Sequence, residues 1–141
     1  MIGRWHALIL AAFVAIAPRA FALDCKSDHF RAGLTMAALP ANVLAVLMRD
    51  GPMADRGKAY LDTDLVLKGE EALPNHRFAI AAISEQSVIV AIEHGRLPTE
   101  VWVFDRTGSN WDGIPRIEIG YAPRSLSELV RAICGFEKKP R

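Results

Sequence analysis

Three ionisable side chains lie on either side of one short loop and could carry acid–base or metal chemistry. Glu93 and His94 end one apolar run, residues 95–98 form the loop, and Glu100 opens the next run. If the two runs pair as antiparallel strands, Glu93 lies opposite Glu100, with His94 beside them. A carboxylate pair next to a histidine predicts a small hydrolase or a metal-dependent enzyme. The alternative is a solvated strand end at which Arg96 balances the two acids.

No other motif in the sequence supports catalysis. The histidines at 29, 76 and 94 lack the regular spacing of metal ligands, and no serine lies in a Gly-x-Ser-x-Gly turn. A phosphate-binding Gly-x-x-x-x-Gly-Lys loop is also missing, so the sequence predicts neither a cofactor nor a bound metal. A protein without catalytic activity is therefore the leading interpretation.

The middle of the chain predicts the sheet that would position these residues. Residues 77–84, 87–94, 99–106 and, more weakly, 116–121 are rich in Val, Ile, Phe and Trp. Short polar loops separate these runs, which is typical of an antiparallel β-meander. Residues 65–68 supply an additional short strand. We therefore expect an α+β domain with a meander of four to five strands.

The expected register gives this meander two apolar faces. With turns at residues 85–86 and 95–98, one face carries Ala79, Ala81, Ile83, Val88, Val90, Ile92, Val101 and Val103. The other face carries Phe78, Ile80, Ala82, Ile89, Ala91, Trp102 and Phe104. Because a half-solvated antiparallel sheet has only one apolar face, the second face needs a cover. We interpret Phe78, Trp102 and Phe104 as a binding surface for another envelope protein or a second copy. The alternative is that helices of this chain cover them.

Helices are predicted on both sides of the meander. Residues 41–49 form an apolar helix that ends at Asp50 and Gly51, and residues 24–36 form a weaker helical segment. Near the C-terminus, Ser125 and Glu128 make a capping box. It precedes an apolar stripe of helical period, formed by Leu126, Leu129, Val130, Ile133 and Cys134.

The first 22 residues have the pattern of a secretory signal peptide. Arg4 precedes an apolar run at residues 7–17, and residues 20–22 form a small-x-small cleavage triplet. The run is shorter than the roughly 20 residues that span a bilayer, so an N-terminal membrane anchor is the weaker alternative. We therefore expect residues 23–141 to form one small domain, periplasmic or secreted, with no transmembrane anchor after cleavage.

The two cysteines predict one disulfide bond. Cys25 and Cys134 allow a single intramolecular pairing, and an exported protein meets an oxidising compartment. The bridge would join the mature N-terminus to the C-terminal helix. Two free thiols are the alternative.

The charge of the mature chain narrows the class of partner. Loss of Arg4 and Arg19 leaves a slight excess of acidic residues. Nucleic acid is therefore not an expected partner, because phosphate recognition needs a basic surface. We expect an exported, non-enzymatic binding or protein-interaction module of the cell envelope. A purely structural envelope protein is a third interpretation.

Overall fold

The chain folds as an antiparallel sheet with two helices. The structure, a computed structural model, describes residues 27–135, so the predicted signal peptide and Cys25 lie outside it. The described strands are β1 (Arg31–Gly33), β2 (Arg77–Ile83), β3 (Ser87–His94), β4 (Leu97–Thr107) and β5 (Asn110–Ile119). The helices are α1 (Ala41–Leu47) and α2 (Leu126–Cys134), and 3-10 turns span Ser27–His29 and Met36–Ala38. The α+β prediction is confirmed.

The five strands lie side by side in chain order, which confirms the meander but corrects its first strand. Residues 65–67 are exposed and form no strand, so the strand predicted at 65–68 was wrong. The additional strand is β1, which lies in the segment predicted as helical and pairs with residues 81–83 of β2. Gly33 explains the close pairing. A Cβ at this position would lie 2.9 Å from Cδ1 of Ile83.

The register of β2 and β3 is as predicted close to their turn and differs further away. Ile83 pairs with Val88 across the predicted two-residue turn. A bulge then interrupts β2, so Phe78, rather than Ala79, is the partner of Ile92. The bulge moves Phe78 to the face opposite the one predicted for it.

The register of β3 and β4 is shifted by one residue from the prediction. Only Gly95 and Arg96 form the turn, because Gly95 takes a φ of +68° that closes a tight hairpin. A turn two residues shorter than predicted would move the partner of Ile92 by two positions, but an irregularity between Ile92 and His94 takes up one residue. Ile92 therefore pairs with Glu100, where the prediction placed Val101. A one-residue slip sends every side chain of β4 to the other face. Both shifts have the same direction, so Phe78, Trp102 and Phe104 still share a face, now with the aliphatic residues of β3.

Each apolar face of the sheet is covered by one helix of the chain. On the first face, buried side chains of α2 pack against those of β2–β5; the cluster includes Ile80, Ile89, Val101, Val103, Leu129, Val130 and Ile133. On the second face, α1 and the segment after it cover the aromatic residues; that cluster includes Val43, Leu47, Met53, Phe78, Val88, Val90 and Phe104. Phe78 and Phe104 are fully buried there.

The predicted capping box begins α2. The Ser125 side chain accepts a hydrogen bond from the Glu128 amide, as an N-cap residue does. The Glu128 carboxylate in turn accepts the Arg124 amide at 2.8 Å. These contacts satisfy backbone donors at the helix start and fix the chain that enters it.

Replacement of the two hairpin glycines separates backbone strain from a steric clash. Gly95 and Gly108 both have positive φ, but a Cβ at 95 would lie 2.5 Å from the Asp62 carbonyl oxygen, whereas one at 108 meets no atom within 4 Å. We expect Gly108→Ala to lower the free energy of unfolding by about 1–2 kcal/mol through strain alone. Gly95→Ala should cost clearly more. Urea unfolding of both variants measures the difference, and equal losses would show that Asp62 does not confine Gly95.

Candidate functional site

The three candidate catalytic residues do not meet in one place. Glu93 accepts a hydrogen bond from Arg77 Nε at 2.8 Å, on the sheet face that α2 covers. His94 and Glu100 lie on the other face, with Nε2 of His94 2.7 Å from Oε2 of Glu100. The predicted Glu93–Glu100 pair is absent because the one-residue shift of β4 places Glu100 opposite Ile92.

The His94–Glu100 contact is largely shielded from solvent. The Glu100 side chain is 12% exposed and that of His94 28%. The distance is that of an ion pair, but Nε2 of His94 makes no hydrogen bond of good geometry to any residue in 27–135. The two side chains are therefore in close contact without a well-aligned hydrogen bond from Nε2.

A second histidine, which we did not predict as a site residue, stacks on this pair. The rings of His76 and His94 are parallel to within 22°, with centroids 5.7 Å apart. Burial, and next the neighbouring His94, lower the pKa of His76, while Glu100 and Asp50 act in the opposite direction. The strand register could have indicated this contact. Because Arg77 pairs with Glu93, the residue before Arg77 comes beside the residue after Glu93.

The half-buried Trp102 completes a small cleft with these residues. Its ring stacks on Phe104 at 5.8 Å between centroids, 12° from parallel. The cleft, which we name the Trp102 cleft, has a volume of about 210 Å³. Its walls are Leu47, Asp50, Asn75, His76, Ile92, His94, Glu100 and Trp102. Of the three predicted binding residues, Trp102 reaches this cleft, while Phe78 and Phe104 lie in the core beneath α1.

The walls of the Trp102 cleft combine apolar and acidic side chains. Leu47, Ile92 and Trp102 supply the apolar surface, and Asp50 and Glu100 supply carboxylates. Such a site can hold an apolar chain that ends in a cation, through contact area and charge together. Within residues 27–135, no group of three or more His, Cys, Asp or Glu side chains is arranged to hold a metal ion.

Comparison with known proteins finds no match for this chain. No protein-family model, no curated protein and no solved structure matches the chain. Among the described residues, the helices are too short to cross a membrane. Function must therefore be inferred from the clefts themselves.

The lowered pKa of His76 predicts a pH dependence of stability. The folded chain holds His76 neutral to lower pH than the unfolded chain does, where the pKa is about 6.5. Between the two values the unfolded chain binds more protons, so stability falls as the pH drops through this window. We expect His76→Gln to remove this component, so that its unfolding free energy falls less between pH 7.5 and 5.5.

Urea unfolding at the two pH values measures this difference, and His29→Gln is the control because His29 is exposed. The control should retain the pH dependence of the wild type. A wild-type dependence in His76→Gln as well would assign the effect to other groups.

Proposed function

We propose that the protein is a small exported binding protein of the cell envelope, without catalytic activity, and that the Trp102 cleft receives one basic side chain of a partner protein. The observation that carries this proposal is that Trp102, Asp50 and Glu100 line the same cleft. Export is inferred from the signal-peptide pattern of residues 1–22.

Size favours a single side chain over a free metabolite. Small-molecule sites in proteins usually enclose about 300–1,000 Å³. The Trp102 cleft encloses about 210 Å³, which suits one long side chain presented by a protein surface.

Charge favours a basic side chain over a purely apolar one. Asp50 and Glu100 line the cleft, and His76 is neutral at pH 7 because burial lowers its pKa. The stem of a lysine or arginine would pack on Leu47 and Trp102, and its cation would meet the carboxylates. A cation beside an indole gains further electrostatic stabilisation when it lies over the ring face.

An NMR titration with a minimal ligand tests the cleft directly. n-Butylammonium and n-butanol have the same apolar chain and differ in charge. In the chain from residue 23 onward, the indoles are those of Trp102 and Trp111, so Trp111→Phe assigns both indole N–H signals. We expect n-butylammonium to shift the Trp102 signal with a lower Kd than n-butanol.

Two glutamate variants locate the charge that matters. Glu100→Gln should weaken n-butylammonium about fivefold, the equivalent of ~1 kcal/mol for one partly screened ion pair. Glu118→Gln is the matched control, since Glu118 pairs with Glu100 across β4 and β5 but is exposed and outside the cleft. Equal affinities for the two ligands, or equal effects of the two variants, would contradict the proposal.

A small hydrolase is the second candidate function, favoured by the 2.7 Å contact between His94 and Glu100. In this version His94 would act as a general base oriented by Glu100, and Glu93 would take no part. No serine or cysteine in the described range lines the cleft, so water would have to be the nucleophile. Ester hydrolysis that is lost in His94→Gln and kept in His29→Gln would favour the enzyme over the binding protein.

The Cys25–Cys134 disulfide belongs to the same proposal of an exported protein. Cys134 ends α2, and the Ser27–His29 turn packs against α2. Phe30 lies in one cluster with Ile133, so the described chain begins beside the helix that carries Cys134.

Mass analysis of the exported protein tests the bridge. Neither cysteine should react with an alkylating reagent until the protein has been reduced. Loss of the bridge should lower the free energy of unfolding by up to about 4–5 kcal/mol, because the bridge closes a long loop. Cys134→Ser measures this loss by urea unfolding. Two thiols that react without reduction would contradict the prediction.

A further inference from the structure

A second and larger opening lies on the sheet face that α2 covers. It is a groove of about 870 Å³ between the 56–57 loop, the first residues of β2 and the segment that enters α2. Arg56, Arg77 and Arg124 line it, together with Glu93, Glu128 and Tyr121. We name it the arginine groove. The proposal made for it does not depend on the Trp102 cleft, which opens on the other face.

One arginine of the groove is held rigidly. Arg77 donates from Nε to Glu93 at 2.8 Å and from Nη1 to the Lys58 carbonyl at 3.1 Å. Its guanidinium also lies 4.4 Å from the centroid of the Tyr60 ring. These contacts leave Nη2 without a hydrogen bond to any described residue. A positioned donor with remaining capacity suits recognition of a carboxylate or a phosphate.

The other two arginines meet at the start of α2. Arg56 Nη2 donates to the Arg124 carbonyl oxygen at 3.3 Å, which ties the 56–57 loop to the entry of the helix. Both side chains are exposed, and neither makes an ion pair with an acid in residues 27–135. The Arg56 guanidinium thus lies against the backbone of Arg124, and both arginines line the groove without a described acidic partner for either side chain.

The two acids of the groove offset two of its three positive charges. Glu93 is paired with Arg77, and Glu128 accepts the Arg124 backbone amide at 2.8 Å. Three arginines against two glutamates leave an excess of one positive charge in a concave surface. Such a surface attracts anions more strongly than scattered surface charges do.

The volume of the groove and its other lining residues indicate which groups the anion carries besides its charge. The volume lies within the range of about 300–1,000 Å³ that is usual for small-molecule sites. Tyr121, 52% exposed, offers a ring, and the half-buried Ala122 offers an apolar surface beside the arginines. We propose that the arginine groove binds a small organic anion, a carboxylate or a phosphate monoester, whose ring or apolar part packs on Tyr121.

Calorimetric titration of the exported protein with four probes tests this assignment. Phenyl phosphate and benzoate represent the two anionic groups on a ring, inorganic phosphate lacks the ring, and benzyl alcohol lacks the charge. We expect one of the two ring anions to bind more tightly than inorganic phosphate, and benzyl alcohol not to bind. The tighter of phenyl phosphate and benzoate identifies the group that the arginines select.

Charge-removing variants tie the binding to this groove. Arg124→Gln keeps the backbone contacts of Arg124 and should weaken the ring anion about tenfold, as should Arg56→Gln, through loss of a charge-assisted hydrogen bond. Arg49→Gln is the matched control, since Arg49 is exposed and outside the groove. It should bind like the wild type.

Two results would overturn the proposal. One is the absence of heat and of NMR shifts near Tyr121 with every anion at millimolar concentration. The other is an Arg49→Gln variant that loses as much affinity as Arg124→Gln, because a general attraction to positive charge would then account for the binding. Circular dichroism of each variant shows whether it folds, and the exposed positions of all three arginines make loss of the fold unexpected.

Discussion

A sheet that is apolar on both faces must be covered on both, and this constraint organises the protein. α1 lies over the aromatic face and α2 over the aliphatic face, so β2, β3 and β4 run between two helical layers. Each cover is limited in length. α1 has seven residues and α2 has nine, whereas β4 has eleven. Neither helix extends over the start of β2 and the end of β3, and both openings lie there.

The two openings are built from neighbouring residues of the same strand ends. His76 and Arg77 are consecutive, as are Glu93 and His94, and successive side chains of a strand point to opposite faces. His76 and His94 therefore line the Trp102 cleft, while Arg77 and Glu93 line the arginine groove. The paired ends of β2 and β3 therefore place ionisable side chains on both faces of the sheet.

The chain between α1 and β2 is the shared wall of the two sites. Arg56 of this segment reaches the groove, and Asn75 and His76 at its end reach the cleft. Ala54 extends the sheet by bridging to Arg77, and the Asp62 backbone packs against Gly95 at the β3–β4 turn. The segment has almost no regular structure, so these contacts are what holds it in place.

Sequence patterns predicted the structural features that depend on neighbouring residues and missed those that depend on contacts between distant residues. The cap at Ser125 and the apolar stripe of α2 follow from short-range pattern, and the structure has both. Turn length does not follow so readily, because residues 95–98 are compatible with a two-residue or a four-residue turn. The two-residue turn at Gly95 and the irregularity between Ile92 and His94 together set the register of β4.

The functional residues show the same limit. Glu93 and Glu100 were grouped because the expected register placed them opposite each other, and the shifted turn separated them. No sequence pattern indicated the arginine groove. Its three arginines come from a loop, a strand start and a helix entry, which are far apart in the chain and come together only in the fold.

If both openings bind ligands as proposed, their opposite charges favour a separate ligand for each. Asp50 and Glu100 lie on one face and Arg56 and Arg124 on the other, with the strands between them. Exposed charges are screened over about 8–10 Å at physiological salt, which is comparable to the spacing of about 10 Å between packed layers. The Arg77–Glu93 pair at the boundary adds no net charge. A single molecule that used both sites would have to pass around the strand ends, where Asp62 already packs against Gly95. Independent occupation is therefore the simpler consequence of this architecture.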